Sequence, residues 1–318
     1  MAQKFFTYGP DNVGELLTST LSVWASTNAV DQVFSKMDLL KKFISRAKEK
    51  DGGASILQPV MYGANGTAQS YSMYDILDIT PQSGFTNTQA KWKNVAVSVA
   101  IAGDEMDKNS GPEKVLDLLE IKKNQAITSL RDLIAQQLFA AAVGSKDIES
   151  LVTMIDATST IQDVNSTNNS WWQSTVTTGG SFATQGLDDM RTTDDTISEY
   201  EPAGDIDTVV TNKTIKNYYE ASLTPNMRYT PAGNGEPTFS TLKFRGADVF
   251  SDPKATSGVI SMFSMEDLFL CINSNANFKT TEFVKPADQD AMVAQIIFRA
   301  QLVTAARRKL AKITDITA

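Results

Sequence analysis

The chain has 318 residues, 42% of them hydrophobic and 21% charged, and carries a formal net charge of -8. It contains no histidine, which removes the commonest general base, the commonest zinc ligand and the usual partner of a Ser or Cys nucleophile. The acidic balance argues against tight nucleic-acid binding by phosphate neutralisation, and no apolar run reaches the roughly 18 to 20 residues of a membrane helix.

The length suits two domains and a sizeable core. The start, MAQKFFTYGP, lacks the compact apolar stretch of a signal peptide, so assembly in a cytoplasm is expected. One cysteine excludes an internal disulfide, and Cys271 stands in the apolar run Leu268 to Ile272, where a buried, inert thiol is expected.

Residues 1 to 50 read as an arm followed by a helix. Asp31 is placed to cap a segment in which Val33, Phe34, Met37, Leu40, Phe43, Ile44 and Ala47 share one face. Lys41, Lys42, Arg46, Lys48 and Lys50 suit the later turns, and Gly52-Gly53 stops them. These lysines form either a solvated face or an electrostatic dock for an acidic neighbour.

Residues 54 to 104 read as a long β-hairpin. Its arms are Ala54 to Tyr62 and Lys91 to Ile101, the second with strict alternation. Between them Gly63 to Ala90 carries turn signals at Asn65-Gly66 and from Pro81 to Gly84, and also Tyr71, Met73, Tyr74, Ile76, Leu77, Ile79 and Phe85. So many apolar and aromatic residues argue against disorder, and a local hairpin offers them little to bury against. A partner subunit is the expected cover.

From Pro112 to Gly144, apolar residues recur at 3, 4 and 7, which predicts a helix over 112 to 143. Such a helix would be about 48 Å long at 1.5 Å per residue, a rigid strut. Residues 145 to 183 are rich in Ser, Thr and Asn around Trp171-Trp172. A second helix is expected from Leu187 to Tyr200 with Met190 and Ile197 inward. A strand at Ile206 to Val210 follows, then a Thr211-Asn212 cap and a helix from Lys213 to Ser222. Thr230 to Pro237 reads as a loop. Strands are expected at Thr238 to Phe244, Asp248 to Phe250, Gly258 to Phe263 and Leu268 to Ile272, with a last one from Ala294 running on to Ile313. There is no fixed-period repeat.

The chain has no phosphate loop and no dinucleotide fingerprint. Asp188-Asp189, Asp194-Asp195 and Asp205/Asp207 lack calcium-loop spacing and read as surface or turn acids. No catalytic residue, cofactor or metal is expected.

The order of arm, basic helix, long hairpin, long helix and mixed sheet with a final return strand resembles the Hong Kong 97-type major capsid protein of tailed phages. Four segments carry the resemblance. They are Ser170-Trp-Trp-Gln-Ser174, Gly204 to Asn212 with Tyr218 and Tyr219, Leu242 to Val249 with Asp252-Pro253, and Ala294 to Leu310 with Arg299, Arg307 and Arg308. Met262 to Glu266 departs from the pattern by lacking an Asn before the next strand.

The resemblance implies an α+β fold, Hong Kong 97-like, with an N-arm, an extended β-hairpin loop, a long spine helix, and peripheral and axial domains. The implied parts are 1–51 arm and helix, 52–110 extended hairpin, 111–183 peripheral domain with the spine helix, 184–288 axial domain and 289–318 return strand. It implies a homo-oligomer of hexamers and pentamers in an icosahedral virion head around packaged DNA, with a separate scaffolding protein, a portal and possible cement proteins. Tyr71, Tyr74, Phe85 and Trp92 are then the expected hairpin interface, Trp171 and Trp172 an interface or core cluster, and Lys41, Lys42 and Arg46 the basic face of the arm helix. Trp92→Ala or Tyr74→Ala is expected to leave a folded subunit that fails to build shells. Some relatives weld subunits through Lys-Asn bonds; Lys91, Lys93, Asn168 and Asn169 are present, but the loop tip lacks the needed lysine, so no weld is expected. The rivals are an encapsulin-like nanocompartment shell, an unrelated β-rich binding or tail protein, and a histidine-free carboxylate hydrolase.

Overall fold

The computed structural model describes residues 37–108, 118–199, 206–223 and 242–318. They fall into two compact units. One holds 96–108, 118–130 and 279–297; the other holds 37–95, 131–199, 206–223, 242–278 and 298–318. The proposed cap Asp31, the start of both long helices, and the 230–237 loop lie outside the described residues.

Helix α1, Asp38–Ser45, buries Leu39, Leu40 and Phe43 on one stripe. It does not continue to Lys50 as expected. Ser45 turns its hydroxyl back onto the Lys42 carbonyl at 2.8 Å, and Lys48–Lys50 becomes strand β1. The charged residues of β1 follow the chain into a sheet because the strand beside them offers an open edge, which outweighs their helix propensity. Gly52 and Gly53 then take φ of 74° and 90°, a turn that residues with a Cβ adopt only under strain.

Strand β2, Ser55–Met61, pairs antiparallel with β3, Phe85–Lys91, from Ser55 opposite Lys91 to Met61 opposite Phe85. The return arm of the hairpin therefore lies inside the stretch read as loop. The expected arm, now β4 at Lys93–Ala102, pairs instead with a late strand. Its alternation holds, with Val95, Val99 and Ile101 buried between exposed neighbours. A short helix α2, Gly103–Lys108, follows.

Helix α3 is described over Leu118–Leu138, 21 residues, about 31 Å at 1.5 Å per residue. Leu130, Ile134, Ala135 and Leu138 are buried along it, whereas Leu133 is 41% exposed. The helix stops before 143 because its last turn is tied to the chain that follows. The Gln137 amide donates to Asp147 Oδ1 at 3.1 Å and accepts from the Ile148 N–H at 3.4 Å. Helix α4, Leu151–Met154, is capped by the Ser150 hydroxyl on the Thr153 N–H. Strands β5, Thr160–Ile161, and β6, Val164–Asn165, form a two-residue hairpin whose turn, Gln162 and Asp163, has φ of 52° and 60°.

After β7, Thr175–Thr178, a π turn over Phe182–Gly186 leads into α5, Leu187–Ser198, with Met190 and Ile197 buried as expected. Strand β8, Thr208–Thr211, is followed by an Asn212 side chain that accepts the Ile215 N–H at 2.9 Å and opens α6, Lys213–Ser222. Strands β9, Leu242–Phe244, β10, Ala247–Ser251, and β11, Ile260–Phe263, complete a six-stranded sheet. Its order is β7-β15-β11-β8-β10-β9, where β15 is Ala311–Thr314. Phe182, Met190, Ile197, Ile215 and Tyr219 of the helical side pack with Val209, Met262 and Ile313 of the strands.

The second sheet uses β12, Leu268–Asn273, β13, Lys279–Thr280, and β14, Ala291–Thr304. Within the larger unit β1 runs parallel to β12, and β12 pairs antiparallel with the end of β14, Phe269 opposite Val303. Within the smaller unit β13 pairs with the start of β14, Lys279 opposite Ile297. The last strand expected from 294 to 313 is thus two strands in two sheets, separated by a one-turn helix at Arg307–Lys309.

Candidate functional site: the extended hairpin and its anchor

The β2–β3 hairpin is buried only at its base. Ile56 and Ala90 pack with Phe269, Cys271 and Val303. Cys271 has no exposed surface and its thiol is pushed up by burial, as an inert core cysteine should be. Trp92 belongs to this base: it is half-buried against the same cluster and donates its indole N–H to the Gly53 carbonyl at 3.0 Å. Lys48 lies over the Phe269 ring at 3.5 Å.

Beyond the base the finger is bare. Every residue from Ala68 to Ser83 is exposed. Met73, Tyr74, Ile76 and Ile79 are 90%, 95%, 94% and 91% exposed, and Phe85 74%. Water-facing apolar side chains in that density are the mark of a surface that meets something else. The segment 62–84 has two acids, Asp75 and Asp78, and no basic residue. Its backbone is organised by small side-chain turns. Asn65 Oδ1 accepts from the Thr67 N–H at 2.9 Å and hydroxyl at 2.7 Å, and Asp78 Oδ1 accepts from Thr80 in the same way at 2.9 and 2.6 Å.

Three clamps hold the finger's root. Tyr62 lies 5.4 Å from Trp171, ring centre to ring centre, and shares a hydrogen bond with Ser83 at 3.0 Å. Trp171 in turn meets Trp172, which is 1% exposed and donates to the Ile161 carbonyl at 3.2 Å. The Trp pair is therefore half hinge plate, half core. At the β5–β6 turn, Gln162 accepts the Gln89 N–H at 3.0 Å with its carbonyl and the Thr88 hydroxyl at 2.7 Å with its side chain. A groove of about 580 Å³ runs between Pro59 to Tyr62, Trp171 and the Arg307–Lys309 turn.

Arg307 is 1% exposed and holds this region from within. Its guanidinium donates to the carbonyls of Met154, Asp156 and Ser159 at 3.0, 2.7 and 3.0 Å and to the hydroxyls of Ser159 and Ser166. Burial pulls its pKa down to about 10, with the Asp156 charge opposing. Nothing in sequence spacing marked it out: it stood only as one arginine of a closing strand. The buried Lys309 pairs with Asp267 at 3.7 Å, whose carboxyl is pushed up by burial.

Of the three basic residues expected as a face, Lys42 on α1 and Arg46 just past its end engage their own chain. Arg46 pairs with Asp207 at 2.6 Å, and Lys42 donates to the Thr208 hydroxyl at 2.6 Å with Asp248 at 3.9 Å. Lys42 is half-buried, while Arg46 and Lys41 keep exposed side chains, Arg46 with its guanidinium on Asp207. The acids singled out in the sequence are engaged likewise: Asp188 with Arg191 at 3.0 Å, and Asp194 and Asp195 with Arg245. Asp205 lies outside the described residues. Lys93 donates to the Ser145 carbonyl at 2.7 Å, and Asn169 is bonded to Asn165 and Trp171.

These elements in this order define a fold class: the α+β fold of phage capsid subunits, with which nearly the whole chain aligns. The capsid subunit of cyanophage A-1(L) superposes with a TM-score of 0.66 at 15% identity over 95% of this chain and 99% of that one. The capsid of a native GTA particle follows with a TM-score of 0.61, 10% identity and 94% and 98% coverage. An encapsulin complex of Synechococcus elongatus PCC 7942 shares the fold at a TM-score of 0.57, 10% identity and 94% and 95% coverage. No family model and no curated protein matches the sequence.

Proposed function

We propose that the chain is the major capsid protein of a tailed phage, which self-assembles into hexamers and pentamers of an icosahedral head around double-stranded DNA. The observation that carries this reading is the bare apolar finger, rooted by three clamps, on a fold shared with the cyanophage capsid structure. Tyr71, Tyr74, Phe85, Met73, Ile76 and Ile79 form the contact strip on a neighbouring copy. Trp92, Trp171 and Trp172 hold its root at the required angle. At ~25 cal/mol per Å², covering several hundred Å² of this strip supplies several kcal/mol per contact before ordering costs. A closed symmetric lattice repeats that gain over every copy.

In this reading α3 is the spine helix of a peripheral domain and residues 184–288 form an axial domain facing the capsomer centre. The role is structural, not enzymatic. A separate scaffolding protein, a portal and possible cement proteins complete the head, and assembly takes place in the host cytoplasm before the protein becomes part of the virion. The acidic chain, net charge -8, encloses DNA without gripping it, since counterion release needs basic surface.

An encapsulin-like nanocompartment is the second reading, supported by the fold match at a TM-score of 0.57; the cyanophage capsid, at 0.66, favours the phage head. The test is electron microscopy of the purified chain beside the double variant Tyr74→Ser/Ile76→Ser. Closed particles from the parent and folded, unassembled subunits from the variant are expected. Normal particles from both, or a parent that stays monomeric with its scaffolding protein supplied, would sink the proposal.

A further inference from the structure

The exposed finger carries an Asn-Gly pair, Asn65–Gly66, in a setting arranged for chemistry on the asparagine itself. Both residues are exposed. The Asn65 side-chain carbonyl oxygen receives two donors from one residue, the Thr67 N–H at 2.9 Å and the Thr67 hydroxyl at 2.7 Å. Two donors on a carbonyl oxygen draw electron density from its carbon and are placed where negative charge develops when a nucleophile adds. The next residue is glycine, with no Cβ to hinder its backbone nitrogen, and a Cβ built there would come no nearer than 3.7 Å to the Gln82 side chain. Glycine has the widest backbone freedom of any residue to bring its nitrogen towards that carbon.

We propose that Asn65 is a site of spontaneous deamidation, with Gly66 as the internal nucleophile and Thr67 as the activating cradle. The Gly66 backbone nitrogen gives up its proton to solvent base and adds to Asn65 Cγ, and the charge forms on Oδ1 between the two Thr67 donors. Collapse breaks the Cγ–Nδ2 bond, and the departing nitrogen takes up protons as ammonia. The resulting cyclic imide is opened by water to aspartate or isoaspartate. The balance is one water consumed and one ammonia released, with no oxidant or enzyme. The product adds a third carboxylate to the segment 62–84, whose only charges are Asp75 and Asp78, ahead of the apolar residues that begin at Tyr71.

The fold supplies an internal control. Asn165 Oδ1 accepts the Thr167 N–H at 2.8 Å in the same kind of turn. The residue after it, Ser166, carries a Cβ, is fully buried and is bonded through its hydroxyl to the carbonyls of Ser159 and Trp172, so it is held in place. A second Asn-Gly pair, Asn234–Gly235, lies outside the described residues.

The experiment incubates the full chain in mildly alkaline buffer and follows each asparagine by peptide mass mapping. Imide and acid forms should accumulate at Asn65 well ahead of Asn165, faster as pH rises. Gly66→Ala should slow the Asn65 reaction about tenfold or more, and Thr67→Val, which keeps the N–H and loses the hydroxyl, should slow it severalfold. Both changes lie in the exposed loop, so circular dichroism identical to the parent is expected. An intact Asn65 when Asn165 has converted, or parental rates in both variants, would overturn the proposal.

Discussion

Arg307 shows how a charge is kept in an interior: by fitting its planar fork to oxygens at fixed places. Its donors end on three carbonyls and two hydroxyls contributed by residues 154 to 166. Lysine cannot reproduce that fork. Arg307→Lys should therefore cost about 3 kcal/mol or more, since each orphaned buried acceptor costs about 1–3 kcal/mol; urea unfolding midpoints measure it. Asp252 makes a pH prediction of the less usual sign. It is 1% exposed and its carboxyl is pushed up by burial, against the pull of the Lys254 and Leu39 N–H groups. The folded state then holds the proton more tightly than the unfolded chain, so this group favours the fold more as pH falls from neutral through the raised value towards the ordinary one. Relative to Asp252→Asn, the parent should gain stability on mild acidification. A gap between their unfolding midpoints that stays constant or widens against the parent would contradict this.

At the scale of elements, the hairpin separates two kinds of aromatic residue that the sequence groups together. Tyr74 is 95% exposed, and Tyr74→Ala should leave stability within about 0.5 kcal/mol. Trp92 is half-buried, hydrogen-bonded to Gly53 and packed on the Phe269 cluster. Trp92→Ala should cost about 3 kcal/mol and loosen the finger's root, so its loss of assembly would come through the fold. Chemical unfolding of the two variants side by side separates these outcomes. Helix α6 offers a local case: Asn212→Ala removes the side-chain acceptor of the Ile215 N–H and should cost about 1 kcal/mol, read by the same method. That helix and its cap were legible from Thr211-Asn212 because capping is decided by neighbours in the chain. The end of α3 was not, because Gln137 meets Asp147 and Ile148 only after the chain turns back.

For the whole molecule, the proposed assembly would be conditioned by charge. Copies carrying a net charge of -8 repel one another, and that repulsion is screened over about 10 Å at 0.1 M salt. If the apolar finger is the main adhesive, shell formation should speed up with moderate salt, followed by light scattering; slowing would mean that ion pairs between copies dominate. Near α1, Arg46 and Lys42 are engaged with Asp207 and Thr208 of their own chain.

The sequence by itself determined which faces are buried and which segments are left bare: the alternation of β4, the inward Met190 and Ile197, the inert Cys271 and the apolar finger all follow from periodicity and composition. Only the tertiary structure decided the pairings. Strand β2 takes β3 as its partner, β4 goes to β14, β1 leaves the helix to join β12, and the last apolar run divides between two sheets. The physical reason is that a period of two tells which side of a strand faces the core, whereas the partner on its edge is chosen by competition among backbone hydrogen bonds from strands far apart in the chain.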